Sequence, residues 1–389
     1  MTRTPACLAK LDRIKKTLRH QEADRVPVSD FFWGGFLKRW RTELDLPAGT
    51  DIYRYYDLDW FNVNPNLDPH IRPFEILEEN EEEVTVRTGF GAVIRKKFAD
   101  PMPAFLRFET DTIEKMRAFE FDDPWDDRRY FAAGDDQING VGDAFARNLP
   151  PFVERTKAVY PDFPVFGGVC EAHETIWRII GSENVMLWMG LYPDEIAAFV
   201  ERIHAFSLEL VKAQIKAAGG MLDGMVIWGD VAYKKGMLFS PDYWRRHFKP
   251  GVKAIIEECH RQNLPVIYHG CGNVNRIFED FIEIGVDAYN PLEAKAGLDV
   301  VDLRRRYGHR IGFCGNMDVL LWANATKEQL RRSVLTKLNA AKGGGYIFQS
   351  DHSVPSNVSA ENYEYVLGLV RRHGVYPLSL GEFDLPDLN

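Results

Sequence analysis

Cysteine is scarce and odd in number, five in 389 residues. That is not the paired framework of a small secreted protein, and it points to free thiols in a reducing compartment. Long apolar runs are also missing. No stretch approaches the roughly 18 apolar residues of a membrane span. Met1–Pro27 is charged and holds no signal-peptide core, so a cytoplasmic protein without a membrane role is expected. Positive charge is in deficit: 48 Lys and Arg face 57 Asp and Glu, a net charge of −9. This balance argues against a nucleic-acid groove and against a polybasic membrane anchor. No repeat, low-complexity tract or Ser/Gly-rich linker divides the chain, which reads as a single domain over 1–389. No Gly-x-x-x-x-Gly-Lys loop or Gly-x-Ser-x-Gly elbow occurs, which weighs against nucleotide hydrolysis and esterase chemistry. What is abundant is hydrophobic residues, 45 % of the chain. They allow a large core without disulfide or metal staples.

Eight short apolar runs recur, most of them followed by a helical pattern. They are Val26–Phe31, Trp60–Val63, Pro164–Val169, Gly224–Trp228, Pro265–His269, Val286–Asn290, Arg310–Cys314 and Tyr346–Ser350. Near-continuous apolar runs of this length suit parallel strands buried on both faces. Helix starts are signalled at Ser182-Glu183, Pro193-Asp194-Glu195, Ser240-Pro241-Asp242 and Thr326-Lys327-Glu328. Stops are signalled at Gly219-Gly220 and Gly343-Gly344-Gly345. Alternating strands and helices predict an α/β fold, a distorted (β/α)8 TIM barrel. The competing doubly wound sheet lacks its Gly-x-Gly-x-x-Gly turn after an early strand. Two stretches break the repeat and read as insertions. About 80–98 is a polar β-hairpin turning at Gly89-Phe90-Gly91, and about 109–150 is acidic and irregular.

Barrel enzymes carry reactive groups at the C-terminal ends of their strands. Those ends supply Asn62 and Asn64, then Cys170, Glu171 and His173, then Asp230 with Tyr233 and Lys234. The later ends supply His269 and Cys271, Asn290 and Glu293, Cys314, Asn316 and Asp318, and Asp351 and His352. Three of the five cysteines fall on this short set. In extended chain residues i and i+2 point the same way, so His269 and Cys271 can converge on one ion. Imidazole with thiolate is a zinc-type donor pair. A third ligand must come from another strand end, His352 or Cys314, with Asp230, Glu293 or water completing a tetrahedron. The same pair also fits a buried histidine and a small core thiol. Asp230 serves equally as a ligand, a base or a loop cap. Glu171 and His173 fit an acid–base pair or a helix cap. Trp33, Trp60, Trp177, Trp188 and Trp228 lie near strand or helix starts, where some would line a pocket and others pack in the core.

Several motifs together resemble the uroporphyrinogen decarboxylase superfamily, from about Arg25 to Tyr376. They are Asp24-Arg25-Val26-Pro27-Val28, the Gly229-Asp230 turn leading to Ser240-Pro241, and His269-Gly270-Cys271-Gly272. Further pieces are Asn290-Pro291-Leu292-Glu293-Ala294-Lys295-Ala296-Gly297, Gly315-Asn316-Met317-Asp318 and Ser350-Asp351-His352-Ser353-Val354-Pro355, followed by Glu361-Asn362-Tyr363. The resemblance implies a distorted (β/α)8 barrel and one of two chemistries. One branch decarboxylates porphyrinogen acetates without a cofactor and grips carboxylates with an Arg-rich motif after the first strand. Here that stretch, Asp30–Phe36, has no arginine, and Asn62 or Asn64 stands where that branch carries an aspartate. The other branch holds zinc-dependent methyltransferases that work with corrinoid proteins.

The second branch carries His-x-Cys and a distant third Cys. The resemblance then implies zinc on His269, Cys271 and His352, with Cys314 in reserve. On the strand-end reading, chemistry is expected at Asp230, Glu293, Tyr233 and Lys234, and substrate contacts at Trp33, Asn62, Asn64, Glu171, His173, Asn290 and Asn316. No Asp-x-His-x-x-Gly corrinoid signature occurs, so the corrinoid is expected on a separate partner protein. The other expected partner is a small methyl donor or acceptor of methoxy or thiol type, and a homodimer is allowed. The alternatives are a cofactor-free decarboxylase of a small carboxylate and a non-catalytic corrinoid-binding or ligand-binding barrel.

Overall fold

A computed structural model describes residues 1–100, 102–135 and 148–388. Its centre is a curled parallel sheet of seven strands, as in a distorted TIM-type barrel. Their spatial order is β1, β6, β7, β10, β11, β12 and β13. These are β1 (Phe61–Asn62), β6 (Val165–Cys170), β7 (Gly224–Trp228), β10 (Val266–His269), β11 (Ala288–Asn290), β12 (Gly312–Met317) and β13 (Tyr346–Ser350). Every residue of β6, β12 and β13 is buried, as continuous apolar runs between two covered faces require. Helices form the outer layer. The longest, Pro193–Ala218, starts at proline with Asp194 and Glu195 in its first turn and stops at the left-handed Gly219. Helix Lys327–Leu338 opens with a capping box between Thr326 and Gln329. No helix among the described residues is long and apolar enough to cross a membrane.

The eighth expected strand, Val26–Phe31, does not form as one. Pro27 has no N–H to give, and Val28 gives its own to the Asp59 carboxylate at 2.6 Å. What remains is a parallel bridge from Val28 to Phe348 of β13 and a bond from Asp59 N to Val28 O on the other side. The segment is fixed by side chains instead. Fully buried Asp59 pairs with Arg13 and with Arg25, the latter at 2.8 Å. Asp30 accepts from Ser350 N at 3.1 Å, from the Ser350 hydroxyl and from Tyr363 OH at 3.3 Å.

The polar hairpin belongs to a wider antiparallel sheet of four strands, β2 (Glu75–Glu79), β3 (Glu83–Arg87), β4 (Ala92–Lys97) and β5 (Ala104–Phe108). Val84, Val86, Ala92 and Ile94 give it a small core of its own. Residues 232–233 and 236–237 form a short hairpin, β8 (Ala232–Tyr233) and β9 (Gly236–Met237). Of the acidic stretch, short helices Ile113–Arg117 and Arg128–Phe131 are seen, and residues 136–147 lie outside the described residues.

Inside the sheet, side chains stack in levels because every second residue points inward. Phe166, Val226, Ile267, Ala288, Cys314 and Ile347 share one apolar level with Trp60, closed from below by Ile14 and Leu18 of helix Pro5–Leu18. Two residues further along the strands stand Asn62, Gly168, Trp228, His269, Asn290 and Gln349. Trp228, His269 and Asn290 are direct neighbours in register. The polar residues therefore sit on an apolar floor.

Burial pushes the Asp30 carboxyl up to about 7, although the bonds from Ser350 and Tyr363 oppose the shift. The unfolded chain keeps this group near the ordinary aspartate value of about 4. The folded protein thus holds the proton to higher pH. The resulting stability is complete below about pH 4 and is lost as the pH rises through about 7. In Asp30→Asn this part of the pH dependence is expected to vanish, measured as unfolding free energy in urea from about pH 4 to 8.

Candidate active site

A cavity of about 510 Å³ opens at the C-terminal ends of the strands. Aromatic walls come from Phe31, Phe32 and Trp33 of the first segment, from Tyr53 and Phe61, and from Trp228 at the end of β7. Polar lining comes from Asn62, Glu174, Arg178, Asp230, His269, Cys271 and His352.

The loop after β10 carries the donors. Gly272 has φ +87°, and a side chain there would sit 2.6 Å from the Ala232 carbonyl carbon, so glycine is required by both backbone angle and contact. The two amides around the thiol are each taken by a carboxylate. Cys271 N donates to Asp230 Oδ1 and Gly272 N to Glu293 Oε2, both at 2.7 Å. His269 Nδ1 lies 2.5 Å from Asn290 Oδ1. The Asn290 amide is oriented by its Nδ2, which donates to Cys314 O at 3.1 Å and Gln349 Oε1 at 3.3 Å. That leaves oxygen facing the imidazole. The proton therefore sits on Nδ1, and the Nε2 lone pair is free.

His269 Nε2 and Cys271 Sγ are 3.8 Å apart. Nitrogen and sulfur ligands of a tetrahedral zinc ion stand about 3.3–3.8 Å apart for bonds of about 2.0–2.3 Å. Donor atoms of Asp230, His269 and Cys271 lie within 4.8 Å of one another, and so do those of Cys271, Glu293 and His352. Cys271 belongs to both groups. Two donor sets of zinc type are thus present, Asp230 with His269 and Cys271, and Cys271 with Glu293 and His352.

Charge in this small space is restrained by burial. Burial holds His269 down to about 4, against its bond to Asn290. Burial, and then the charge of Glu174, pushes Asp230 up to about 7. Cys271 is held well above the ordinary thiol value by burial and by Asp230 and Glu293. Burial and Lys295 lower His352. The imidazoles are thus neutral donors at neutral pH, and a thiolate here calls for a compensating cation.

The other expected residues divide. Trp33 stacks on His352 with ring centroids 5.7 Å apart. Asn62 lines the cavity and donates to Phe166 O and Gly167 O. Asn290 acts through His269. Cys314 is not a reserve ligand: it faces the apolar level, its thiol 3.0 Å from Gln349 Oε1. Asn316 is not a substrate residue, because its φ of +77° turns it into the Leu292–Val300 loop, where it bonds Leu292 O, Leu298 O, Val300 N and Lys337. Asn64 lines another cavity and gives its backbone oxygen to Arg155, while its side-chain Oδ1 lies where a side chain on Gly168 would sit, close to Trp228 Nε1. Glu171 caps helix Ala172–Ile180 by accepting from His173 N, and burial pushes it up to about 8. His173 Nδ1 holds Asp230 O at 2.7 Å. Neither Glu171 nor His173 lines the cavity. Tyr233 and Lys234 stand exposed at the β8–β9 hairpin, away from the lining. Of the other tryptophans, Trp60 and Trp188 are core and Trp177 bonds Glu174. Sequence reasoning missed Glu174 and Arg178, whose i, i+4 spacing one turn beyond a strand end was the available signal.

Residues 146–373 match the family described as uroporphyrinogen decarboxylase (URO-D). The chain belongs to the uroporphyrinogen decarboxylase family. The uroporphyrinogen decarboxylase of Pelobacter propionicus is 29 % identical over 182 residues, covering 46 % of this chain and 50 % of that protein. The one of Shewanella amazonensis is 27 % identical over 272 residues, covering 67 % and 68 %. The chain spans about half the length of most of the curated relatives it matches. Among solved structures, a methyltransferase from Methanosarcina mazei has the same fold, with a TM-score of 0.61 and 17 % identity over 93 % of this chain and 98 % of that one.

Asn290 sets the free lone pair of His269, so Asn290→Leu is expected to weaken binding of added Zn(II) by about 10–100-fold. Cys314→Ser should leave that affinity unchanged. Competition against a chelator measures both.

Proposed function

We propose that this family member is a zinc-dependent methyltransferase that moves a methyl group between a small methoxy- or thiol-type substrate and a separate corrinoid protein in the cytoplasm. The observation that carries the reading is the pair of donor groups that share Cys271, one with Asp230 and His269 and one with Glu293 and His352, beside an aromatic cavity. A site with three protein donors and an open position is of catalytic type. Zinc held there would supply a Lewis acid that lowers the pKa of a thiol or polarises an ether oxygen.

The chain's own residues do the rest. Asn290 keeps the His269 lone pair turned to the site. Asp230, which accepts from Cys271 N beside the thiol, is placed to take a proton from a substrate thiol or return one to a leaving oxygen. Phe31, Trp33 and Trp228 exclude water from the reacting atoms and bound a flat substrate. The corrinoid protein would meet the substrate at the cavity mouth.

A second reading, cofactor-free release of CO2 from a small carboxylate, is favoured by the names of the curated relatives. It leaves the paired imidazole and thiol without a task. Metal analysis with methylation of cob(I)alamin by a panel of methyl donors separates the two. About one zinc per chain is expected, lost together with methyl transfer in Cys271→Ser. Full methyl transfer by metal-free protein would overturn the proposal, and metal-independent CO2 release would establish the second reading.

A further inference from the structure

Helix Ala172–Ile180 brings Glu174 and Arg178, one turn apart, into the cavity wall. Both side chains are nearly enclosed, at 10 % and 13 % exposure. Glu174 is fully engaged. Its Oε1 accepts from Arg178 Nε at 3.1 Å and Nη2 at 2.5 Å, and its Oε2 accepts from Trp177 Nε1 at 3.1 Å. Arg178 is only half engaged. A guanidinium has two hydrogen-bonding edges, and Glu174 occupies the Nε/Nη2 edge alone. Nη1 has no hydrogen-bond partner among the described residues, and it is not among the sealed polar atoms that lack one. The Nη1/Nη2 edge is thus left unpaired on a residue that lines the cavity. The plane is held from other sides by the rings of Trp177 at 4.9 Å and Phe90 at 5.7 Å.

We infer that the open edge of Arg178 is the seat for a carboxylate on a flat aromatic substrate. The inference rests on the proposed methyl transfer only for the methyl group that the substrate carries. A planar fork with two parallel N–H bonds matches a carboxylate bidentately. Because the fork is already fixed by Glu174, little ordering cost opposes binding. Glu174 explains how an arginine can wait in an enclosed wall without a ligand: the pair is neutral until a second carboxylate arrives. The fork assigns the carboxylate end of the substrate to Arg178, which leaves the methyl-bearing end towards Cys271. The ring between them lies against Phe31 and Trp228. The substrate class is an aromatic methyl ether or thioether with one carboxylate. This anion seat lies on a different element from the arginine-free segment Asp30–Phe36.

Calorimetric titration of the full chain tests this with three probes: 4-methoxybenzoate, neutral 4-methoxybenzyl alcohol and non-aromatic methoxyacetate. The benzoate is expected to bind about 10-fold or more tightly than the alcohol, as charge-assisted hydrogen bonds allow. Methoxyacetate, lacking the ring, should bind more weakly than the benzoate. Glu174→Gln/Arg178→Gln removes both charges and should abolish the preference for the benzoate over the alcohol. Arg178→Lys keeps the charge, loses the fork and should lose most of the preference. The inference is overturned if wild-type protein binds benzoate and alcohol equally, if it binds neither, or if the double variant keeps the preference. The wild-type comparison decides the matter even where a variant fails to fold. Methyl transfer from the same probes to cob(I)alamin is read separately. Benzoate binding without transfer sinks the methyltransferase reading and leaves the Arg178 seat standing.

Discussion

Space inside a curled parallel sheet is the constraint on which the rest depends. Each strand can place one inward side chain at a given level, so what fills one level decides what the next can be. Here the lower level is closed by Trp60, Phe166 and Ile267, with Cys314 among them. Polar side chains can then appear only above it, where the strands run out and solvent begins. Asn62, His269, Asn290 and Gln349 occupy that upper level. The site is thus a product of strand length as much as of residue choice.

Burying those polar groups is costly unless each finds a partner. The Asn290 amide meets the requirement with both ends, His269 on one side and Cys314 O with Gln349 on the other. The same economy appears in the loop after β10, whose two amides are taken by carboxylates from two neighbouring loops. These bonds fix the backbone from which the Cys271 thiol projects beside His269. Their price is an excess of potential negative charge, which burial suppresses at Asp230 and Cys271.

How far the sequence could be read follows from the same physics. His269 and Cys271 were legible because strand periodicity holds up to the last strand residue and one tight turn beyond. Asn316 was misread because it lies where that periodicity has ended: a left-handed backbone there reverses its direction. The first segment was read as a strand from its apolar residues, yet Asp59, far away in sequence, takes the N–H that a strand would have used. Glu174 and Arg178 resemble an ordinary surface pair at i, i+4. Only their enclosure gives them a different meaning, and enclosure is a property of the packed helix. The hairpin was legible from its turn, but β2 and β5, which widen it, have weaker alternation.

The widened sheet has a consequence for how copies of the chain meet. β2 is an edge strand, with no second partner among the described residues. Such an edge is a template for strand addition, the route by which folded proteins polymerise. Glu75, Glu78 and Glu79 line this one. Two copies approaching edge to edge here would bring like charges together, so this edge repels itself.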